Sequence, residues 1–443
     1  MRAVALALLI GAALSACADL PREAASARDA RTIIDSAVTA SCPGLEVNRQ
    51  RLMRELGFVR TLGDPVTVSD GSRTRTERRY RLEGGDELAI RHTSLDERLQ
   101  RIDLEVWRQV DGALRAETLA IALPDCTIAQ GRRLAYDDSG VASHLAMLDN
   151  DLRTVGTPQE LNPPVPHAEP ARGVRVALVD SGVNYHLAFL RTALARGPDG
   201  SILGYDFWDG DHRPFDLDNA RSPFFPERHG TSMASVILAE APSIALVPYR
   251  YPRPALERMS EVVHLAQVAG VYIVALALGG DDPAPWQAFY EAAQERPDML
   301  FIVSAGNQGR NIDRQPVWPA RFELDNMLVV TASDARGRLA RAANWGPETV
   351  DLMIPAENRP VVDHTGQLGS ASGSSVAVAR TVAAAARLAQ AHPSWRAPEL
   401  KRALIRSARK PTSANRPLVR HGWIEEPAQI GPAAPASPVL LGS

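Results

Sequence analysis

Short, uninterrupted apolar runs, separated by stretches long enough to form helices, dominate the chain after residue 173. A continuous apolar run is typical of a strand in a parallel sheet that is buried on both faces, with helices between the strands. We therefore predict an α/β unit in which helices cover both faces of a parallel sheet, a three-layer arrangement. The predicted strands span residues 174–179, 245–248, 271–277, 299–303 and 327–332.

Residues 18–150 show a different pattern. Two stretches with helical periodicity, Ala24–Ala40 and Glu46–Gly57, precede stretches in which apolar and polar residues alternate. Turn-forming Gly84-Gly85-Asp86 and Asp111-Gly112 separate alternating stretches, as hairpin turns would. This region is predicted to be a small α+β domain with an antiparallel sheet, whose strands lie within 74–82, 87–91, 101–107 and 114–123.

Two segments without an apolar period complete the organisation. Residues 151–172 are rich in proline and are predicted to link the two domains. The α/β unit is predicted to occupy residues 173–431, and a Pro/Ala-rich, disordered tail to follow at 432–443. Over all 443 residues the net charge is −3, which supplies no field suited to nucleic acid, so we exclude that class of partner.

The first 17 residues are predicted to be a signal peptide. The apolar run Ala3–Ala16 would rise roughly 21 Å as a helix, too short for a lasting membrane span. Leu14-Ser15-Ala16-Cys17 resembles a bacterial lipobox, which implies that Cys17 carries a lipid. We therefore expect a lipid-anchored protein of the cell envelope that faces the periplasm from the inner or outer membrane. Ordinary signal cleavage beside an incidental cysteine is the alternative.

Once Cys17 is assigned to the lipid, two of the three cysteines remain, Cys42 and Cys126. An oxidising periplasm would allow them to pair, so we predict a disulfide between them. Two buried free thiols are the alternative.

The α/β region contains the side chains that nucleophilic acyl transfer requires. Asp180 ends a predicted strand, His229 begins an apolar helix, Asn307 follows a strand on a tight turn, and Ser375 lies in Gly-Ser-Ser-Val-Ala at 373–377. A serine needs a base, the base needs an acid to orient it, and the oxyanion needs a donor. Each residue alone could be a cap, a turn former or an ordinary helix start, but their joint occurrence indicates one site.

The order Asp, His, Ser along the chain resembles that of the subtilisin-like serine proteases, the subtilases. Residues from about 173 to 431 resemble their catalytic domain, which implies a serine endopeptidase acting on protein or peptide substrates without a cofactor. The resemblance implies a catalytic triad of Asp180, His229 and Ser375, with Asn307 in the oxyanion hole. It also implies a substrate-lining strand that contains Ala277, Leu278 and Gly279.

The chain departs from the family pattern at three positions. Ser374 replaces a usual threonine, Ala379 a usual proline, and Ala277 a common serine. An alanine should preserve the helix that follows Ser375, because proline in a first helical turn is tolerated rather than required. The rival interpretation is a catalytically impaired subtilase fold that serves as a binding module.

The stretch RHGTSMASVILAE, residues 228–240, contains a second serine motif in Gly-Thr-Ser-Met-Ala-Ser. Ser232 lies three residues after His229 on the same predicted helix. If Ser232 were the nucleophile, one short helix would supply both nucleophile and base, and Ser375 would have no role. We therefore predict that His229 is the base and that the serine motif is incidental.

Two further regions leave alternatives open. The acidic stretch Asp206–Asp218 lacks the regular spacing of a calcium loop, so we expect a solvated loop and no metal, with a structural calcium site as the alternative. Residues 18–150 are long for a propeptide, and we favour a permanent accessory domain over a cleaved propeptide.

Overall fold

A computed structural model describes residues 28–57, 59–410 and 418–432. The signal peptide and Cys17 lie outside these ranges, as does the predicted tail beyond Pro432. The chain divides into two compact units. The first comprises the residues up to Gly140 together with His144–Pro158. The second comprises Val141–Ser143 and the residues from Gln159 onward.

The first unit contains an eight-stranded sheet in which the strands follow chain order. Strands β1 to β6 pair antiparallel with their neighbours. Its helices are α1 (Ala30–Ser41) and α2 (Arg49–Leu56). The strands are β1 (Val59–Asp70), β2 (Arg73–Leu82), β3 (Glu87–Leu95), β4 (Arg98–Val110), β5 (Ala113–Ala122), β6 (Ile128–Tyr136), β7 (Ala142–Leu148) and β8 (Thr154–Glu160).

The alternation in β3 and β4 assigns opposite chemistry to the two faces of this sheet. Leu88, Ile90 and Leu104 are fully buried in one cluster with Ile33 and Ile34 of α1. This is the apolar face that the alternating pattern predicted, and α1 covers it because a half-buried sheet must bury that side. The α+β domain is therefore confirmed.

The opposite face carries charged side chains in neighbouring strands. Arg91 of β3 donates to Glu77 of β2 at 2.6 Å and lies 3.6 Å from Asp103 of β4. Arg101 contacts the same Asp103 at 2.8 Å. Opposite charges on adjacent strands stabilise the pairing of the strands. This face therefore carries ion pairs where the other face carries apolar side chains.

Cys42, which caps the end of α1, forms a disulfide with Cys126 in the β5–β6 connection, with the two Cα atoms 5.6 Å apart. The predicted pairing is confirmed. The bridge spans 84 residues and ties the end of α1 to the β5–β6 connection.

The predicted linker is wrong in its first half, because β8 lies inside residues 151–172. All seven residues of β8 are exposed at the edge of the sheet, so no apolar alternation marked the strand. Strand β1 was not predicted for the same reason, since nearly all of it is exposed. Edge strands lack the buried face from which a strand pattern arises.

The second unit contains a parallel eight-stranded sheet in the order β10-β11-β9-β12-β13-β14-β15-β18. The strands of this sheet are β9 (Val174–Asp180), β10 (Tyr205–Asp206), β11 (Ile244–Arg250), β12 (Ile273–Leu276), β13 (Leu300–Ser304), β14 (Met327–Ser333), β15 (Leu352–Pro355) and β18 (Gly422–Trp423). A separate hairpin consists of β16 (Arg359–Val362) and β17 (Leu368–Ala371). The helices are α3 (Ala188–Arg191), α4 (Gly230–Glu240), α5 (Met259–Val268), α6 (Gln287–Gln294), α7 (Ser374–Ala391) and α8 (Ala397–Arg406).

Two apolar clusters, one on each face, bury this sheet. Residues of α4, α7 and α8 join one cluster, and residues of α5 and α6 join the other. The alternate residues of one strand therefore enter different cores: Ile302 of β13 lies in the first and Phe301 in the second, both fully buried. The predicted three-layer α/β fold is confirmed. No helix within the described ranges is both long and apolar enough to span a bilayer.

Candidate active site

Asp180 and His229 form a hydrogen-bonded pair at the carboxyl end of β9. Nδ1 of His229 lies 2.8 Å from each carboxylate oxygen of Asp180. The Asp180 side chain is 5% exposed, whereas the imidazole is 42% exposed toward a cleft. A buried carboxylate on Nδ1 holds the ring in the tautomer that leaves Nε2 available as a base.

The start of α4 is tied to the strand end that carries Asp180. Ser181 Oγ accepts from the backbone N–H groups of His229 and Gly230 at 3.0 and 2.9 Å. The same hydroxyl donates to Asp216 at 2.6 Å, and Asp216 also accepts from the N–H of Thr231. These acceptors satisfy donors that a helix start leaves unpaired, and the Asp216 charge complements the positive end of α4.

Close backbone contact explains the glycines in both motifs. A Cβ on Gly230 would lie 2.0 Å from the carbonyl oxygen of Gly182. Gly182 has φ +92°, and a Cβ there would lie 2.4 Å from the carbonyl oxygen of Phe215. No larger residue fits at either position without moving backbone, so the glycines set the separation between Asp180 and His229.

The charges around His229 favour its protonated form. Burial acts to lower the pKa of His229, but the charge and hydrogen bond of Asp180, followed by Asp216 and Glu227, outweigh it and raise this pKa to about 9. Burial likewise opposes ionisation of Asp216, but donors from His364, Ser181 and Thr231 lower its pKa overall. Asp216 is therefore an anion at neutral pH.

Asn307 lies in the connection after β13, with its side chain oriented by the residue before Ser375. Its Oδ1 accepts from the backbone N–H of Ser374 at 2.9 Å and from the Ser374 hydroxyl at 3.1 Å. Both bonds use the amide oxygen, so Nδ2 remains to donate to another group. Ser374, in place of the usual threonine, keeps the hydroxyl that makes this contact.

Ser375 is the second residue of α7, and its side chain is half-buried. Gly373, just before the helix, has φ +123°, and a Cβ there would lie 3.0 Å from Oδ1 of Asn307. The helix continues through Ala379 to Ala391, as predicted for a chain without the proline. The first N–H groups of α7 have no partner within the helix and form the positive end of its dipole.

All the predicted site residues of this unit line one cleft of about 520 Å³. Asp180, His229, Asn307 and Ser375 contribute to it. The substrate-lining positions Ala277, Leu278 and Gly279, which follow β12, form part of its wall. Ser232 is not among the described residues that line the cleft, and its carbonyl accepts from the Ser235 hydroxyl within α4.

The expectation of a solvated loop at Asp206–Asp218 is wrong. Asp206, Asp216 and Asp218 are buried. Asp206 pairs with the buried Arg250 at 2.9 Å, and Asp218 accepts from the hydroxyl of Tyr251 at 2.7 Å. These carboxylates hold the connection together. Within the described ranges no group of three or more His, Cys, Asp and Glu side chains is placed to hold a metal ion.

Sequence reasoning missed the residues that orient the site. Ser181 and Asp216 at α4, and Ser374 beside Asn307, act through contacts with backbone groups or amides. Ser181 and Ser374 adjoin predicted site residues, so adjacency could have indicated them. Asp216 lies 13 positions before His229 in a stretch interpreted as solvated, and no local pattern marked it.

A family model described as Peptidase_S8, the subtilase family, matches residues 171–423, more than half of the chain. The chain belongs to the subtilase family of serine peptidases.

Individual relatives are distant. The chain is 26% identical over 210 residues to the thermophilic serine proteinase of Bacillus sp. (strain AK1), covering 43% of this chain and 48% of that protein. It is 26% identical over 201 residues to subtilisin BL of Lederbergia lenta, covering 42% and 72%. The solved structure of a cold adapted subtilisin-like serine proteinase is 21% identical, with a TM-score of 0.48 and coverage of 59% and 93%. The chain thus spans about half the length of the first of these relatives.

Proposed function

We propose that this protein is a serine endopeptidase that cleaves peptide bonds through an acyl-enzyme. The observation that carries the proposal is the Asp180–His229 pair in the same cleft as Ser375 and Asn307. The remaining parts of the cleft are consistent with an extended peptide substrate, since the three consecutive residues 277–279 lie along one wall.

In the proposed mechanism, Ser375 Oγ attacks the scissile carbonyl while Nε2 of His229 takes its proton. Asp180 keeps the imidazole in the required tautomer and stabilises the imidazolium that forms. Nδ2 of Asn307 and the backbone N–H of Ser375 donate to the oxyanion, and the positive end of α7 adds to this stabilisation. His229 then protonates the leaving amine, which departs and leaves the acyl-enzyme. Water takes its place: Nε2 of His229 removes a proton from water as it attacks the ester carbonyl, and returns that proton to Ser375 Oγ as the ester bond breaks.

The test compares two serines in the same protein. Wild type, Ser375→Ala and Ser232→Ala are incubated with a fluorophosphonate probe and, separately, with casein. We expect Ser375→Ala to lose labelling and nearly all turnover, by about 10⁴-fold or more. Ser232→Ala, the matched control, should retain both.

Each alternative has its own outcome in this test. Full labelling of Ser375→Ala would reject Ser375 as nucleophile, and loss of labelling in Ser232→Ala would transfer the role to that serine. A wild type that neither labels nor cleaves, although folded, would favour a binding module instead. An Asn307→Ala variant should lower kcat by about 10²–10³-fold without loss of folding.

We also propose that the protein is anchored in the cell envelope through a lipid on Cys17, with the first unit retained as an accessory domain. The Cys42–Cys126 disulfide supports an oxidising compartment. N-terminal analysis of the mature protein tests both points. A lipidated Cys17 at the terminus supports them, a start near residue 170 indicates a cleaved propeptide, and an unmodified terminus near Cys17 rejects the lipid.

A further inference from the structure

Asn344 lies between β14 and β15, outside the cleft lining, and is fully buried. Its side chain faces the connection that follows β13, residues 305–310, which carries Asn307. A buried amide needs partners for two donors and two acceptor lone pairs, so the identity of those partners shows what it holds.

Both donors and both acceptor lone pairs of the Asn344 amide bond to residues of that connection. Its Oδ1 accepts from the backbone N–H groups of Gln308 and Arg310 at 2.9 and 3.1 Å. Its Nδ2 donates to the carbonyl oxygen of Ala305 at 2.8 Å and to Oε1 of Gln308 at 2.7 Å. The backbone N–H of Asn344 adds a bond to the carbonyl oxygen of Gly306 at 3.0 Å.

These bonds hold the chain on both sides of Asn307. Ala305 and Gly306 precede it, and Gln308 and Arg310 follow it. Gly306 has φ +94°, and a Cβ there would lie 2.7 Å from Nδ2 of Asn344, so the turn and the buried amide occupy adjoining space. Asn307 itself is exposed, with its amide oxygen fixed by Ser374. The position of the Asn307 backbone therefore depends on the hydrogen bonds that Asn344 makes with the residues on either side of Asn307.

We propose that Asn344 is a positioning residue for the oxyanion donor. This inference rests on the proposed peptidase function and adds to it a residue that touches no substrate. Its role is to place Nδ2 of Asn307 where the oxyanion forms, before substrate arrives. A donor displaced by about 1 Å can cost about 10²-fold in rate. Because the donor acts on the transition state, the loss falls on kcat, with KM nearly unchanged.

A double-mutant comparison distinguishes positioning from general support of the fold. Asn344→Ala and Asn307→Ala are made singly and together, and kcat and KM are measured for a peptide ester. We expect Asn344→Ala to lower kcat by up to about 10²-fold, and the double variant to remain close to Asn307→Ala alone. Losses that multiply in the double variant, or an unchanged kcat in a folded Asn344→Ala protein, would overturn the proposal.

A milder variant covers the case in which Asn344→Ala does not fold. The Thr331 hydroxyl donates to the carbonyl oxygen of Asn344 at 2.6 Å from a buried site outside the cleft lining. Thr331→Val keeps the shape and removes this bond, so we expect a smaller fall in kcat that again disappears in the Asn307→Ala background. A Thr331→Val loss that persists there would contradict positioning through Asn307.

Wild type and Ser375→Ala are measured in the same series. If turnover by wild type does not depend on Ser375, the proposed function fails and the role of Asn344 fails with it. If turnover depends on Ser375 but the Asn344 and Asn307 losses multiply, only the positioning role is rejected.

Discussion

The two sheets of this protein distribute polar residues in opposite ways. The antiparallel sheet of the first unit has one apolar face under α1 and one face of paired charges such as Arg91 and Glu77. The parallel sheet of the second unit is apolar on both faces, with Phe301 and Ile302 in separate cores. Only the strand ends of the parallel sheet are left for reactive side chains, and Asp180 occupies one of them.

The units also differ in what stabilises them beyond apolar burial. The first has a disulfide, whereas the cysteines of the chain are Cys17, Cys42 and Cys126, so the second unit has none. The second unit contains instead arginine side chains that are buried in its interior. Arg380 of α7 is fully buried and contacts Glu240 at the end of α4, at 2.5 Å, as well as Glu426. Three sets of substitutions test whether these differences matter energetically, and the pH dependence of activity tests the site at the strand ends.

The largest effect on stability is expected from Arg380→Ala. Removing a partner from a buried ion pair leaves uncompensated charge, here on the largely buried Glu240, and costs about 3–5 kcal/mol. Arg380 also donates to the carbonyl oxygen of Pro355, which would lose a partner. Chemical denaturation of the second unit measures this loss. A change below about 1 kcal/mol would show that the buried charges are incidental.

Replacing both Cys42 and Cys126 by serine should destabilise the first unit alone. A cross-link spanning 84 residues contributes about 4 kcal/mol by restricting the unfolded chain. Calorimetry should show the transition of the first unit at lower temperature, with that of the second unchanged. Equal shifts in both transitions would contradict the prediction that the disulfide stabilises the first unit alone.

The pH dependence of activity should reflect the anions around His229. Only neutral imidazole accepts a proton, and a pKa of about 9 means that kcat/KM falls as the pH drops below that value. In Asp180→Asn the largest cause that raises this pKa is lost, so the pKa should move down toward 6.5. NMR titration of the His229 ring in both proteins measures it directly. An unchanged pKa would reject the pairing.

The smallest effect is expected from Arg79→Ala in the first unit. Arg79 pairs with Glu77 at 2.7 Å, but its side chain is 42% exposed. Exposed ion pairs contribute about 0–1 kcal/mol, so the free energy of unfolding should change by no more than that. This substitution is the matched contrast to Arg380→Ala, and similar losses from both would remove the distinction between the two units.

The predictable parts of the structure were those whose signal is local. Continuous apolar runs identified β9, β11, β13 and β14. Both faces of these strands are buried, so consecutive residues, which point to opposite faces, are apolar. Strand β8 was not predicted, because an exposed edge strand has no apolar pattern. Strands β10 and β18 were not predicted because two residues are too few to show a period.

The same limit applies to the site. Asp180, His229, Asn307 and Ser375 lie in motifs whose neighbours are constrained by close backbone contact, as at Gly182 and Gly230. Those constraints are visible in sequence as glycines. Asp216 and Asn344 act across 13 and 34–39 positions, in large part through backbone groups that any residue supplies. Nothing in the partner residues marks such a contact, so only the folded structure shows it.

The contacts of Ser181 make the Asp180–His229 pair depend on how α4 packs against the end of β9. Because the residue beside Asp180 caps the helix that begins after His229, the acid and base meet only when α4 has docked on the end of β9. On the proposed function, a chain in which α4 is not docked lacks this pair and should not cleave peptide bonds. Recovery of turnover after denaturation would therefore report the docking of α4 on β9.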